Sequence, residues 1–222
     1  MTLCPETSAS VMKTGMTLLS GKIRDKTYDL VITGPGVFNS AHAVTAYLEK
    51  SSPALMLHIG IAGVFKETGL DIGDIAIATR EHYIHTGIQT GTLEKEGLPF
   101  DLIQADFLSR KGMYPFDLDR VDHYHEILSR ALAHKNKFRV VKGPFITVST
   151  ITSTLEQAGL LYLAFSPVME AMEGAACAHV AALYGLPMIE VRAGSNFVGE
   201  RDKSKWDIDQ AIKHLGAVCS LI

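Results

Sequence analysis

From residue 29 onward the chain alternates short apolar runs that stop at glycine with segments of helical spacing, and this constrains its fold more than any other feature. Such alternation is the signature of parallel strands joined by crossover helices within one domain. Residues 29–33 (DLVIT) read as a strand ending at Gly34-Pro35-Gly36, and residues 40–50 take helical spacing through Ala43, Val44 and Leu48 until Pro53 stops them. Residues 54–59 (ALMLHI) give a second buried strand ending at Gly60-Ile61-Ala62-Gly63, and residues 74–79 (DIAIAT) a third. Residues 87–114 have no strong period and read as a long excursion over the surface. A helix follows over 119–134, then strands near 138–141 and 145–149, and a Thr- and Ser-rich stretch leads into a short helix from Leu155. Residues 168–196 repeat the apolar run, Ala-rich helix, apolar run pattern, and residues 206–221 form a closing amphipathic helix. At the start, a short strand over 1–4 and a hairpin around 18–28 are expected.

A chain of 222 residues with 47% hydrophobic content buries a core without disulfides or metal. The net charge of −3, with no basic run, excludes nucleic acid as the main partner. Every apolar run is shorter than the roughly 18 residues that span a bilayer. The opening MTLCPETSAS lacks the basic and apolar regions of a signal peptide, so a cytoplasmic protein with no membrane partner is expected. Cys4, Cys177 and Cys219 are odd in number and far apart, which argues against a disulfide framework or a thiolate metal site.

The chemistry-bearing residues sit at element ends, where open α/β sheets bind ligands. Glu173 stands where an apolar segment turns into the Ala-rich helix, and its carboxylate either complements the helix dipole or holds two vicinal sugar hydroxyls, since it only accepts hydrogen bonds. Glu170 lies close by. Ser195 and Asn196 end the next apolar segment, and the Asn amide offers a donor and an acceptor suited to the edge of a heterocyclic base, or caps a loop. Gly34-Pro35-Gly36 is a tight turn or an anion cradle; it is not GxGxxG, and no GxxxxGK[ST] occurs. Gly60-Ile61-Ala62-Gly63 admits either close packing or close approach of a ligand. His82, Tyr83, His85, His123, Tyr124 and His125 lack an HExxH or Cys-rich pattern and read as surface or partly buried residues rather than metal ligands. No Ser sits in a GxSxG elbow. Arg192, Arg201 and Asp202 read as a salt-bridged framework, and Trp206 as packing for the last helix.

Five blocks together resemble the nucleoside phosphorylase and nucleosidase superfamily, in particular its futalosine hydrolases of menaquinone biosynthesis. They are TGPGVFNSA (33–41), HIGIAGVF with GLDIGDIAIA (58–78), GPFITVSTITST (143–154), AMEGAACAHVAALYGLP (171–187) and VRAGSNFVGERDKSKWD (191–207). The resemblance implies a three-layer α/β/α sandwich with a central mixed sheet over residues 1–222, a purine nucleoside as small-molecule partner, and a homodimer or larger homo-oligomer. It implies that Met172 packs on the ribose and Glu173 holds its hydroxyls, with Ala62, Gly63, Ser195 and Thr150-Ile151-Thr152 around the substrate. Asn196 stands where adenine-specific relatives carry a proton-donating Asp, which points to hypoxanthine as the leaving base. Glu6, the one carboxylate of LCPETSAS, takes the place of the water-activating base. Phosphate-binding arginines are not evident around Gly34 to Gly36 or Gly60 to Gly63, so water is the expected nucleophile. Arg80, His82 and Arg201 are candidates for the substrate tail by charge. Within the same superfamily the alternatives are an adenine-releasing nucleosidase and a purine nucleoside phosphorylase.

Overall fold

The computed structural model describes residues 8–221 apart from 14, 24–25, 92–94, 105, 107 and 133–137. Its first three strands, β1 (Ser8–Val11), β2 (Thr17–Ile23) and β3 (Lys26–Ile32), pair antiparallel in that order as a small sheet of their own. The hairpin expected around 18–28 is β2 and β3. The strand expected over 29–33 is the end of β3, so it joins this ribbon rather than a parallel sheet: its ladder partner is β2, with Leu30 opposite Leu19. The strand expected over 1–4 lies outside the described residues.

Helix α1 (Val37–Leu48) buries Ser40, Ala43, Val44 and Leu48, the three- and four-residue spacing read from the sequence. Strand β4 (Met56–Val64) follows and runs straight through Gly60 to Gly63, which the sequence had placed past its end. Both flanks of β4 are hydrogen-bonded there, Gly60 opposite Arg192 on one side and Gly63 opposite Glu170 on the other. After β5 (Ile75–Tyr83), the long excursion carries a two-stranded ribbon, β6 (Ile88–Gln89) with β7 (Lys95–Glu96), and returns as β8 (Met113–Pro115). Then come α2 (Leu118–Leu132), β9 (Val140–Thr147), α3 (Leu155–Phe165), β10 (Met169–Ala171), α4 (Gly174–Leu183), β11 (Met188–Phe197) and α5 (Ile208–Cys219). The two strands expected at 138–141 and 145–149 are one strand, β9. Pro144 has no N–H to give the ladder, and β5 shifts register between Ala78 and Arg80 opposite it, which lets the strand continue. Trp206 stands in the loop before α5, not within it.

The main sheet runs β11-β4-β10-β9-β5-β8 and is mixed, which is the expected α/β fold with a mixed central sheet. It also curls. β5 pairs antiparallel with β11, Val191 opposite Ile77, so β11, β4, β10, β9 and β5 close into a ring. Ala62, Val64, Ala76, Ala78, Phe145 and Met169, from four of these strands, pack together as one buried cluster. Helices cover the outside: α2 and α5 against Ile75, Ile77, Ile189 and Val191, and α3 against Phe65, Ile146 and Val198. Helix α4 is buried on nearly every side, and its small Gly and Ala residues let it fit between the sheet and α1. Among the described residues no helix is long and apolar enough to cross a membrane.

Candidate active site

A cavity of about 360 Å³ opens between the turn after β3, the ends of β4, β10 and β11, and the loop before α5. Glu173 reaches it from the N-cap position of α4, where the chain leaves β10 with φ −126° and ψ −31°. The carboxylate does not cap its own helix. Its Oε1 accepts from the Gly36 backbone N–H at 2.9 Å, and its Oε2 lies 3.2 Å from Nη1 of Arg192 and 3.3 Å from the Met172 N–H. Gly36 has φ 92°, a left-handed conformation that glycine supplies without strain, and it opens α1. Gly34-Pro35-Gly36 is thus a tight turn whose free amide holds an anion belonging to the protein itself.

Asn196 comes from the end of β11, where the register to β4 shifts between Gly194 and Asn196. Such a bulge re-aims the side chains beside it. The Ser195 hydroxyl lies 2.9 Å from Asn196 Oδ1 and 3.2 Å from the Ala62 carbonyl, and Asn196 Nδ2 donates to the Phe197 carbonyl at 3.0 Å. One amide proton is spent on that bond, so the second remains for a ligand. The structure also gathers Met172, Ala62, Gly63, Ile151 and Ser195 around the same cavity. It leaves Thr150 and Thr152 off the lining. Thr150 is exposed, while Thr152 is buried because its N–H and hydroxyl both turn to Glu170. Glu6 lies outside the described residues.

Behind Glu173 is a network of buried charge that the sequence reading did not assemble. Arg192 is 3% exposed, and its Nε donates to Glu190 Oε1 at 2.8 Å while Nη2 lies 3.2 Å from His58 Nε2. A Cβ at Gly60 would overlap this guanidinium, so the glycine makes room for it. An arginine does, then, lie against the 60–63 segment, but two carboxylates already match its charge. Glu190 and Glu81 are fully buried and meet beside Gly174; Glu81 Oε2 accepts from the Thr147 hydroxyl at 2.8 Å. Burial and the neighbouring Glu190 push the Glu81 pKa well above the usual carboxyl range, which makes Glu81 the protonated member. Burial opposes the charge on Glu190 too, yet His58 and Arg192 beside it hold its pKa down to about 2. The sequence did carry a signal, a Glu inside the otherwise apolar run MIEV.

Of the residues considered for a substrate tail, only Arg201 lines the cavity, with its guanidinium 5.3 Å from the Trp206 ring centroid. His82 of β5 packs on Phe165 at 5.5 Å instead, and Arg80 is not part of the lining. Tyr83 meets His85, His123 meets Tyr124, and His125 Nε2 lies 3.1 Å from the Val140 carbonyl. Among the described residues no group of three or more His, Cys, Asp or Glu is placed to hold a metal ion. Cys177 is buried and unpaired, and Cys219 is partly buried and unpaired.

The phosphorylase superfamily matches the chain over residues 3–221. The chain is 30% identical over 184 residues to the futalosine hydrolase of Thermus thermophilus, covering 82% of this chain and 75% of that one. It is 43% identical to the futalosine hydrolase of Streptomyces coelicolor over a shorter stretch of 74 residues, 33% of this chain and 32% of that protein. A 5'-methylthioadenosine/S-adenosylhomocysteine nucleosidase of Maridesulfovibrio salexigens is 26% identical over 187 residues, with coverage of 83% and 74%. Among solved structures, the nucleosidase of that name from Neisseria meningitidis, in complex with methylthio-immucillin-A, superposes with a TM-score of 0.81 at 17% identity, covering 97% of this chain and 88% of that one. That likeness is one of fold.

Proposed function

The chain belongs to the phosphorylase superfamily, and from that premise we propose that it hydrolyses the N-glycosidic bond of a purine nucleoside, with futalosine as substrate and hypoxanthine and dehypoxanthine futalosine as products. The observation that carries the reading is the Asn196 amide, which keeps one N–H for the cavity while its other polar atoms are engaged. An amide donates a hydrogen bond to purine N7 but has no proton to transfer, which suits a 6-oxopurine leaving group. Glu173 takes the ribose hydroxyls through the acceptor capacity that Gly36, Arg192 and the Met172 N–H leave on its carboxylate, chiefly on Oε1, and Met172 packs on the sugar. Ala62, Gly63, Ile151 and Ser195 complete the surround.

As the bond from C1′ to N9 lengthens, positive charge gathers on the ribose and negative charge on the base. Glu173 stabilises the first and Asn196 the second, both held in place before the reaction begins. A water oxygen then bonds to C1′ as the C1′–N9 electron pair leaves with the purine; the water gives up a proton to a general base, the role proposed for Glu6, and the purine anion takes up a proton from solvent and departs as hypoxanthine. Arg192 favours water over phosphate as nucleophile, because its guanidinium is committed to Glu173 and Glu190 rather than open to an added anion. The proposal includes one domain over residues 1–222, a homodimer or larger homo-oligomer, and a place in menaquinone biosynthesis.

A second reading, an adenine-releasing nucleosidase, is favoured by the similarity to the Maridesulfovibrio protein across 83% of the chain. One assay separates the two. In phosphate-free buffer the chain is expected to release hypoxanthine from futalosine, followed by chromatography. Adenine from methylthioadenosine with no hypoxanthine from futalosine would overturn the first reading in favour of the second, and consumption of inosine only when phosphate is added would overturn both.

A further inference from the structure

Glu170 sits in the middle of β10, is 7% exposed, and lines the same cavity as Asn196. Its place is fixed by register. In the ladders of β4, Gly63 pairs with Asn196 on one side and with Glu170 on the other, so the three residues form one row across the sheet. The two outer members are two strand spacings apart, roughly 9–10 Å. That width accommodates a fused bicyclic ring with a hydrogen bond at each edge. The middle member, Gly63, adds no side chain between them; a Cβ there would stand 3.5 Å from Asn196 Nδ2 and press on a Val198 methyl at 3.0 Å.

Glu170 is also held as an acceptor. The Thr152 N–H donates to Oε1 at 3.2 Å and the Thr152 hydroxyl donates to Oε2. A carboxylate has about four acceptor positions, so two are left for a ligand in the cavity that Glu170 lines. We propose that Glu170 determines base specificity by accepting a hydrogen bond from N1–H of a 6-oxopurine, at the ring edge opposite the one that Asn196 reads. Adenine presents a lone pair at N1, which would set two acceptors face to face in a buried site. A site of this kind rejects the mismatched base because its own polar group is left unpaired. Thr152 then acts on the base only through Glu170, as a positioning residue. Burial raises the pKa of Glu170, while the two hydrogen bonds from Thr152 and the charge of Arg201 act in the opposite sense and favour its ionised form.

The assignment rests on the reading that a purine occupies this cavity, and free-base binding tests it apart from turnover. Calorimetry on the full chain would compare hypoxanthine, 1-methylhypoxanthine and adenine. Hypoxanthine is expected to bind about 10- to 100-fold more tightly than the other two, the worth of one hydrogen bond to a charged group. In Glu170→Gln, whose amide can donate to N1 of adenine, the preference for hypoxanthine over adenine should disappear. An unchanged ratio in that variant, at any absolute affinity, overturns the assignment. So does equal binding of hypoxanthine and 1-methylhypoxanthine by the unaltered chain, a comparison that needs no variant to fold. If futalosine is hydrolysed while the ratio stays unchanged, the Glu170 assignment alone falls. If the ratio collapses as expected while futalosine is not hydrolysed, the reaction alone falls. Binding of none of the three bases overturns both.

Discussion

The side chain of Asn196 is oriented before any ligand arrives, because the Ser195 hydroxyl and the Phe197 carbonyl fix which end of the amide is which. Replacing it with an acid would keep the shape and add a transferable proton. Asn196→Asp is therefore expected to raise the adenosine-to-inosine ratio of kcat/KM for nucleosides with a common sugar tail by on the order of 100-fold, the usual worth of general-acid assistance. An unaltered ratio in paired kinetic assays would count against the role given to Asn196. Glu170→Gln should shift the ratio in the same direction, and because both side chains contact one base the two effects are coupled rather than additive. Met172 with Glu173 and Ser195 with Asn196, which line one cavity, were legible in the sequence because each pair is adjacent within a short block at the end of an apolar run. Thr152 was read as a base contact because nothing in one dimension shows that its hydroxyl turns to Glu170. Arg192 sits in an ionic framework, but not with Arg201 and Asp202 as the sequence suggests: Glu190 lies two residues away on β11, while His58 and Glu173 come from other elements that only the folded chain brings to it.

At the scale of elements, the turn from β10 into α4 is the most demanding piece of the chain. It presents Glu173 to the cavity and packs Gly174 directly over the buried pair Glu81 and Glu190. A Cβ at Gly174 would overlap Glu81 Oε1 and stand 2.6 Å from Glu190 Oε2. Helix propensity alone would favour alanine here by about 1 kcal/mol. The overlap outweighs it, because neither carboxyl has water to retreat into. Gly174→Ala is expected to destabilise the protein by about 1–3 kcal/mol, the range for overpacking a filled core, measured as a lower urea midpoint. Strand ends were the least legible elements. Glycines and Pro144 looked like stops, yet β4 and β9 pass through them, since neighbouring strands on both sides supply a ladder that local propensity does not foresee.

For the whole molecule, the alternation of strands and helices foretold an α/β fold, while the separate antiparallel ribbon of β1 to β3 and the pairing of β5 with β11 depend on contacts distant in sequence. His82 links this architecture to pH. Burial, and next the charge of Arg80, lower its pKa from 6.5 to about 4. Between those values the unfolded chain takes up a proton that the folded chain refuses, so stability falls as pH drops from about 6.5 towards 4. Thermal melts across that range should show a declining Tm, and His82→Phe should make the decline shallower; an equal slope in the variant would show that other groups dominate.

The closure of five strands into a ring also bears on where chemistry is found. A closed ladder has to match its residues all the way round, and a slip of one position would turn every side chain of a strand to the wrong face. Mismatch in the count is absorbed at two irregular points, one beside Thr79 in β5 and one at Ser195 in β11. The second of these is where Asn196 is turned toward the cavity. The position proposed to read the base thus lies beside an irregularity of the closed sheet, and a shift of register that erased it would disturb the fold along with the site.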